Sequence, residues 1–335
     1  MSELRLNVVT KEWVIIAPGR ATRPKDFKSR PSRPPLAAHD PDCPFCPGNE
    51  HLTTEESFRL PAALDAGWQT RVVPNRFPVL SRDQTNPAPR HDGLKHAVDG
   101  FGVHDVIIET PRHDLTTALM PPSQVEAILR TYRNRYQVCQ ADPRLGHILL
   151  FKNHGPAAGT SLVHPHSQVV ATSVVSYQVR DRIRTLEDHQ ALYGHCVLCK
   201  MVDDEIAEGV RIVHLNESFV ALVPYAALSS YHIWIFPRRH MGSYGEINDV
   251  EVANLAASLR AVLRKLYFGL NDPDFNYVIR SSPRTCSNGE FHWYLSIVPR
   301  LARAAGFELG SGMYVNDSYP EDSAAFLRSV QVPDG

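Results

Sequence analysis

Two histidines and a glutamine stand at alternate positions in the segment His164-Pro165-His166-Ser167-Gln168, which lies inside an apolar run. Alternate side chains of a β-strand share one face, so these three groups are predicted to project into one site. Neutral imidazole is a metal ligand and also a nucleophile that forms covalent intermediates. The face could therefore hold a metal anchor and a reactive group. Pro165 stiffens the backbone between the imidazoles, which favours this interpretation over two structural histidines.

A glycine-containing segment lies just upstream of these histidines. It contains Asn153, Gly155, Gly159, Thr160 and Ser161. Glycines followed by hydroxyl groups can bring backbone N–H groups close to a phosphate. An ordinary turn is the alternative interpretation, and it would be preferred for this segment considered alone.

Four of the six cysteines form two CxxC pairs, Cys43 with Cys46 and Cys196 with Cys199. We expect a cytoplasmic chain, in which this pattern indicates metal binding more than a disulfide framework. A redox CxxC is the competing interpretation, but neither pair follows a clear strand-to-helix pattern of a βαβ unit. The other cysteines, Cys139 and Cys286, are expected to be buried without a chemical role.

The candidate metal ligands recur in the same order in both halves of the chain. The first pair is followed by His113 and His164, which are 51 positions apart, and the second by His240 and His292, which are 52 apart. This repetition indicates a duplication. Two thiolates and two imidazoles suit tetrahedral Zn²⁺ without an open position, so two structural zinc sites are predicted. His232 competes with His240 for the second site.

The duplication also separates the ligand from the reactive group. His164, His166 and Gln168 correspond to His292, Tyr294 and Ser296 in the second half. The first histidine is present in both halves, whereas the second imidazole occurs only in the first. His166 is therefore the candidate nucleophile, and His164 the candidate metal ligand.

Hydrophobic periodicity predicts mixed α and β structure in two similar halves, residues 1–185 and 186–335. Helices are predicted at Ser123–Gln140 and Asp249–Tyr267, where apolar residues recur at helical spacing. Short apolar runs predict strands before and after each helix. The predicted strands are Gln69–Val73, Asp105–Glu109, Phe219–Val223, His232–Phe236, Asn276–Arg280 and His292–Pro299.

Composition points to a globular protein that acts on small molecules. The 335 residues are 43% hydrophobic, and 35 basic residues balance 36 acidic ones. A net charge near zero argues against a nucleic-acid partner or an anionic membrane surface. The N-terminus lacks an apolar signal core, and no later stretch has the apolar length needed to span a bilayer.

The motifs resemble those of the histidine-triad superfamily, and more closely its galactose-1-phosphate uridylyltransferase branch. The resemblance runs over nearly the whole chain. Triad hydrolases carry a third histidine where this chain has Gln168, and the transferase branch is similar to this chain in having glutamine there. An amide can bond a phosphate oxygen but cannot titrate near neutral pH. The matching motifs are Cys43-Pro-Phe-Cys46, Glu109-Thr-Pro-Arg-His113, the His164–Gln168 segment, Phe291-His-Trp-Tyr294 and 306–312.

The resemblance implies an α+β fold of two histidine-triad-like halves around a largely antiparallel sheet flanked by helices, and a homodimer. It also implies double displacement. His166 would attack the α-phosphorus of a nucleotide sugar and expel a sugar 1-phosphate, and a second phosphate-bearing acceptor would then attack the nucleotidyl-histidine. Because the leaving group is already good, the protein would mainly position the substrate and neutralise its charge.

The resemblance further implies roles for individual residues. The carbonyl of His164 would orient the second ring nitrogen of His166. Phosphate contacts would come from Gln168, Ser161 and Asn153, and a nucleotide contact from Asn75. Arg20 and Arg23 would lie near the nucleotide phosphates, although alone they read as a solvated Pro-rich linker. Lys152 and His154 are placed by neighbourhood only.

Two features depart from the best-known uridylyltransferases. Their second metal site is commonly a carboxylate with three histidines, where this chain offers Cys196 and Cys199. The segment 306–314 looks like that of the branch containing ADP-glucose phosphorylases. Within it, Gly310, Ser311 and Gly312 could hold an acceptor phosphate through backbone amides, or form a plain turn.

Four functions remain open at this point. The leading hypothesis is uridylyl transfer between UDP-glucose and a hexose 1-phosphate, with galactose 1-phosphate as the default acceptor. An ADP-glucose phosphorylase, which transfers an adenylyl group to inorganic phosphate, is the nearest alternative. A nucleotide hydrolase is disfavoured by Gln168. A zinc-stabilised binding module without activity would make the difference between His166 and Tyr294 accidental.

Overall fold

The computed structural model describes residues 1–20, 33–62, 67–83, 89–286 and 290–333. Arg23 and the side chain of Arg20 lie outside this part. The strands are β1 Glu3–Leu6, β2 Trp13–Ile16, β3 Phe58–Pro61, β4 Trp68–Pro74, β5 Arg90–Asp92, β6 Lys95–Ala97, β7 Gly102–Ile108, β8 His147–His154, β9 His166–Thr172, β10 Ile212–Leu215, β11 Phe219–Leu222, β12 Ile233–Pro237, β13 Phe275–Arg280, β14 Tyr294–Pro299 and β15 Tyr314–Asn316. The α-helices are α1 Pro122–Ala141, α2 Tyr177–Tyr193, α3 Val197–Glu208, α4 Asp249–Leu270, α5 Gly306–Ser311 and α6 Pro320–Ser329.

One ten-stranded sheet runs through both halves of the chain, in the order β10-β11-β12-β14-β13-β8-β9-β7-β4-β3. Every pairing within it is antiparallel. The order read outward from the central pair β8 and β13 is the same on both sides, because β9, β7, β4 and β3 correspond to β14, β12, β11 and β10. The duplicated α+β fold is therefore confirmed.

Helices α1 and α4 occupy equivalent places in the two halves and pack against each other. Val125, Ile128, Leu129 and Tyr132 of α1 recur at helical spacing and are fully buried. The start of α4 is fixed by a capping box, in which the side chain of Asn248 accepts from the backbone N–H of Glu251. Both helices lie where the periodicity predicted them, and α4 continues to Leu270.

The chain ends meet in a small sheet of β1, β2 and β15. Val14 and Ile16 of β2 are fully buried and pack with Ala226 of the second half. The N-terminal strands thus cross over to the other half. The division that we expected between residues 185 and 186 lies within α2.

One detail of the predicted strand at the histidine pair was wrong. Strand β9 begins at His166, so His164 precedes it rather than sharing its face. Pro165 has no N–H to add to the strand ladder, although its carbonyl accepts from the N–H of Glu109 at 3.0 Å. His292 likewise precedes β14. In each half, the candidate ligand therefore lies two residues before the first residue of the strand, which is His166 in one half and Tyr294 in the other. Among the described residues, no helix combines the length and the apolar character needed to cross a membrane.

Candidate active site

His166 is the first side chain of β9 and is 8% exposed. Its Nδ1 lies 2.9 Å from the carbonyl oxygen of His164. A carbonyl only accepts, so Nδ1 carries the proton and Nε2 keeps its lone pair. Burial lowers the pKa of His166, against the opposing effect of this hydrogen bond. The ring is therefore held neutral, with an unprotonated nitrogen available as a nucleophile.

His164 turns its ring away from His166 and towards a four-residue cluster with Cys43, Cys46 and His113. Its Nδ1 lies 3.7 Å from Cys43 Sγ and 3.6 Å from Cys46 Sγ, and its Nε2 lies 2.8 Å from the carbonyl oxygen of Thr110. Tetrahedral zinc with ordinary bond lengths separates sulfur and nitrogen ligands by about 3.5 Å. The carbonyl of Thr110 fixes the ring with Nδ1 free for a metal ion. This set of buried donors could hold such an ion.

The second cluster joins Cys196, Cys199, His240 and His292, and its four ligand atoms also lie within 4.8 Å of one another. The Nδ1 atoms of His240 and His292 are 3.1 and 3.3 Å from Cys199 Sγ. Cys196 is the N-cap residue of α3 and follows helix α2, so this CxxC does not follow a strand. The cluster holds the second set of predicted ligands.

His232, the competing ligand, lies elsewhere. Its Nε2 is 2.9 Å from the hydroxyl of Ser296 and accepts from the indole N–H of Trp234 at 3.1 Å. Burial lowers its pKa to about 3, so the ring is neutral in the core. The geometry therefore places His240, and not His232, among the residues that could bind a metal.

A buried ion pair supports the strand that carries His166. Lys152 Nζ donates to the carboxylate of Glu109 and, at 3.2 Å, to the carbonyl oxygen of His166. Tyr132 donates to Glu109 at 2.9 Å, and Tyr277 from β13 contacts the same carboxylate oxygen at 3.4 Å. Burial alone would raise the pKa of Glu109, but the charge of Lys152 and the hydrogen bonds from Lys152 and Tyr132 lower it overall. This charged pair thus connects both halves of the sheet to the strand that carries His166.

His166 lines two cavities. The larger, of about 480 Å³, also receives Gln168, Ser161, Asn75 and the exposed ring of Phe77. Its size and its mixture of apolar walls with a few polar groups are typical of small-molecule sites. The smaller, of about 180 Å³, is lined by residues of the glycine-containing segment and its neighbours, among them Lys152, Asn153, His154, Gly155, Thr160 and His166.

Two glycines with positive φ angles shape the glycine-containing segment. Gly155 and Gly159 adopt φ of +84° and +87° on either side of a short 3₁₀-helix, Pro156–Ala158. A Cβ on Gly155 would lie 2.2 Å from the carboxylate of Asp274, which also accepts from Arg33 at 2.6 Å. Only glycine fits there. The second half of the chain therefore shapes this predicted phosphate loop.

Asn153 is the second-last residue of β8 and lines the smaller cavity. Its Oδ1 accepts from the amide of Asn276 at 2.8 Å, and Asn276 Oδ1 in turn accepts from the guanidinium of Arg300. A guanidinium only donates, so this chain orients both amides and leaves the NH₂ group of Asn153 for an anion.

The equivalent place in the second half is filled. Tyr294 stacks on Phe236 with ring centroids 4.9 Å apart and lies 5.0 Å from the ring of Trp234. All three side chains are buried. The second half therefore keeps its cysteine–histidine cluster, but buried aromatic rings fill the space beside Tyr294.

Three predicted residues lie away from both cavities that His166 lines. Gly310 and Ser311 end α5, and Gly312 follows it; all three are exposed. The Ser311 hydroxyl donates to the carbonyl oxygen of Phe307 at 2.6 Å. Their role in holding an acceptor stays a prediction.

Sequence reasoning missed several groups around His166. Glu109 appeared only inside a motif, and Lys152 only as a neighbour. His104 and Asn276 were not considered, because their significance depends on strand pairing across the sheet. A charged residue directly after a run of apolar residues, 106–108 in one case and 148–151 in the other, was the signal that could have drawn attention to Glu109 and Lys152.

The chain matches two family models, the galactose-1-phosphate uridyl transferase N-terminal domain over residues 1–176 and the corresponding C-terminal domain over residues 171–310. It is 37% identical to an ADP-glucose phosphorylase of Arabidopsis thaliana, covering 98% of this chain and 93% of the relative. It is 27% identical to a galactose-1-phosphate uridylyltransferase of Thermotoga maritima, covering 99% of each.

Solved structures agree with these relatives. The crystal structure of the Arabidopsis thaliana ADP-glucose phosphorylase with bound ADP-glucose superposes with a TM-score of 0.83 at 35% identity, over 99% of this chain and all of the other. A uridylyltransferase structure gives 0.75 at 27% identity, over 98% of each chain. The chain therefore belongs to the galactose-1-phosphate uridyl transferase family and is a nucleotidyltransferase.

Proposed function

We propose that the protein transfers a nucleotidyl group from a nucleotide sugar to a phosphate-bearing acceptor through a covalent intermediate on His166. The observation that carries this is the hydrogen bond from Nδ1 to the carbonyl of His164, which leaves Nε2 unprotonated where two cavities meet. One cavity suits the nucleoside and the other suits the phosphates and the departing group.

In the first step, Nε2 of His166 attacks the α-phosphorus and the bond from that phosphorus to the bridging oxygen breaks. The bond's electron pair leaves with the sugar 1-phosphate. The ring becomes cationic, and the carbonyl of His164 stabilises the Nδ1–H of that cation. An oxygen of the acceptor phosphate then attacks the same phosphorus, and His166 departs as the neutral ring. No group with a titratable proton is needed for the leaving group.

We propose ADP-glucose as the nucleotide sugar and inorganic phosphate as the acceptor. Similarity supports this choice, because the identity of 37% to an ADP-glucose phosphorylase exceeds that of 27% to a uridylyltransferase of comparable coverage. UDP-glucose with galactose 1-phosphate, the leading hypothesis from sequence, is the second candidate. It is supported by the family models, both of which are named for that reaction.

The test is to incubate the protein with ADP-glucose or UDP-glucose without acceptor and measure its intact mass. We expect an adenylyl adduct, released as ADP when phosphate is added. A uridylyl adduct, released as UDP-galactose by galactose 1-phosphate, would establish the second candidate instead. Absence of any adduct would overturn both and favour a binding module.

We also propose that each cysteine–histidine cluster holds a structural zinc ion. The donor set of two thiolates and two imidazoles is that of closed zinc sites, and the sulfur–nitrogen spacing in the first cluster is appropriate. Burial raises the pKa of the Cys43 thiol to about 11 in the absence of an ion, so binding would release a proton. A bound ion would contribute folding free energy and would fix the turn that contains His164.

The two halves have different proposed roles. We propose that residues 1–185 carry the reaction and that residues 186–335 support it through Tyr277, Asn276 and Asp274. A homodimer in solution stays a prediction from the family resemblance, to be checked by light scattering.

A further inference from the structure

His104 lies on β7, beside the strand that carries His166 and Gln168, and was not among the predicted site residues. It is 9% exposed. The backbone N–H of Val79 donates to Nδ1 of His104 at 3.1 Å. A backbone N–H can only donate, so Nδ1 accepts and the proton of the neutral ring is on Nε2.

That proton has one acceptor. His104 Nε2 lies 2.7 Å from Oε1 of Gln168. With its oxygen engaged, the Gln168 amide turns its NH₂ group towards the cavity that it shares with His166. Two hydrogen-bond donors thus face the place where His166 would attack. The reverse orientation would present a carbonyl oxygen, which repels an anionic phosphate.

Asn75 completes the arrangement. Its Oδ1 accepts from the backbone N–H of Phe77 at 2.8 Å, so its Nδ2 is the atom that lies 3.1 Å from His104 Nε2. Both nitrogens carry hydrogens in the tautomer that Val79 imposes, and this contact is therefore not a hydrogen bond. The amide hydrogens of Asn75 are left to the cavity, as are those of Gln168.

The second half supplies an internal comparison. In the register of the sheet, Val106 pairs with Gln168 and Trp234 pairs with Ser296, so His104 and His232 occupy equivalent positions. His232 also contacts the residue at the equivalent position, Ser296, at 2.9 Å. Its Nε2, however, accepts from the indole N–H of Trp234, and both side chains are buried in the core. The equivalent histidine thus belongs to the packed core in the second half, whereas in the first half it contacts a residue that lines a cavity.

We propose that His104 is a positioning residue that locks the Gln168 amide with its donors towards the α-phosphate. This inference rests on the proposed function. Losing the lock allows the amide to rotate and so removes preorganised donors from the developing charge. It acts on the transfer step through Gln168, and not through the metal clusters or the fold.

The experiment measures the rate at which saturating ADP-glucose, or UDP-glucose if that is the substrate, forms the His166 adduct in a single turnover. H104F and H104A remove the donor with and without loss of side-chain volume, so that a failure of one to fold does not prevent the test. We expect each to slow adduct formation by about tenfold to a hundredfold. H104Q retains an N–H donor and is expected to recover most of the rate.

The decisive comparison repeats H104F in a Q168A background. If His104 acts through Gln168, the second substitution adds less than about twofold, because the two effects are not additive. Metal content per chain should not change in any of these variants. H232F is the matched control, expected to lower the melting temperature but not the adduct rate of the folded protein.

The outcomes separate the two proposals. A wild-type protein that forms no adduct overturns the proposed function. If the wild-type protein forms the adduct and both H104F and H104A form it at the same rate, the role of His104 is overturned. It is also overturned if the rate reductions caused by H104F and Q168A multiply in the double variant.

Discussion

Strand β9 presents His166 and Gln168 to a cavity, whereas the equivalent strand β14 presents Tyr294 and Ser296 to packed aromatic rings. Each strand is preceded by a histidine that joins two cysteines and a second histidine in a possible metal cluster. The comparison shows which parts of the duplicated framework are architectural and which are chemical. The cysteine–histidine clusters and the strand order recur, and the candidate nucleophile and its cavity do not.

The supporting groups differ in the same way. Behind His166, the charged pair of Lys152 and Glu109 bonds the backbone of β9 and reaches across to Tyr277. The second half has a buried pair of its own, Glu205 with Arg211, but it joins α3 to the start of β10 and to α6, away from β14. The first pair supports the strand that carries His166, and the second connects helices α3 and α6 to the residue before β10. Three sets of variants test whether the first half carries the reaction while the second half supports the structure.

The largest effect is expected at the nucleophile. H166A should reduce turnover by at least about 10⁴-fold and abolish the nucleotidyl adduct, because the covalent step has no other nucleophile. Y294F should leave turnover and adduct formation within about twofold of wild type, since the Tyr294 ring is buried against Phe236 and Trp234. Intact mass and steady-state rates check both.

The double variant H166A/Y294H sharpens this test. It restores an imidazole at the equivalent position of the second half, where Phe236 and Trp234 leave no cavity. We expect no adduct. An adduct on the new histidine would show that the second half retains a working site and that the comparison is wrong.

Substitutions in the two cysteine–histidine clusters should have the same effect on zinc content but different effects on activity. C43S and C196S are each expected to lower zinc from about two to about one per chain and the melting temperature by on the order of 10 °C. C43S should also slow adduct formation in the protein that remains folded, because His164 carries both a ligand nitrogen and the carbonyl that orients His166. Elemental analysis and single-turnover rates are the measurements.

If C196S slowed adduct formation as strongly as C43S, the second cluster would not be purely structural. A protein purified with neither metal would contradict the zinc assignment for both sites.

The smallest of the three effects is expected at the buried ion pairs. E109Q leaves Lys152 buried without a counter-charge and should cost about 3–5 kcal/mol of unfolding free energy, with a loss of turnover. E205Q is the matched control, and it should cost less because Arg211 keeps contacts with Glu208 and Glu321. Turnover should be unchanged. Denaturant unfolding and kcat separate the two.

The pH dependence supplies a check of the charge at Glu109. Its pKa is lowered in the folded protein, so its contribution to stability is present above the pKa of the unfolded state and is lost as pH falls through the folded value. The difference in stability between wild type and E109Q should therefore shrink in acid. A difference that grows in acid would contradict an ionised Glu109.

The sequence alone determined the duplication and the two cysteine–histidine sets, and it singled out His166 as the candidate reactive imidazole. These follow from the types and order of a few residues, because cysteines and histidines that recur at matched spacings are typical of metal ligands and because Tyr294 breaks the repeat. The helices α1 and α4 were also predictable, since burial of one face imposes a helical period on each.

Tertiary structure alone decided how these residues are oriented. The start of β9 at His166, the register that places His104 beside Gln168, and the donors from Asn276 and Tyr277 all depend on strand pairing between distant parts of the chain. The separation is 64 positions for His104 and Gln168 and 168 positions for Glu109 and Tyr277. Tautomers and amide orientations then follow from which neighbours can only donate, such as the N–H of Val79 or the guanidinium of Arg300. Such constraints belong to the assembled sheet, because no local pattern in a sequence specifies which backbone group will face a side chain.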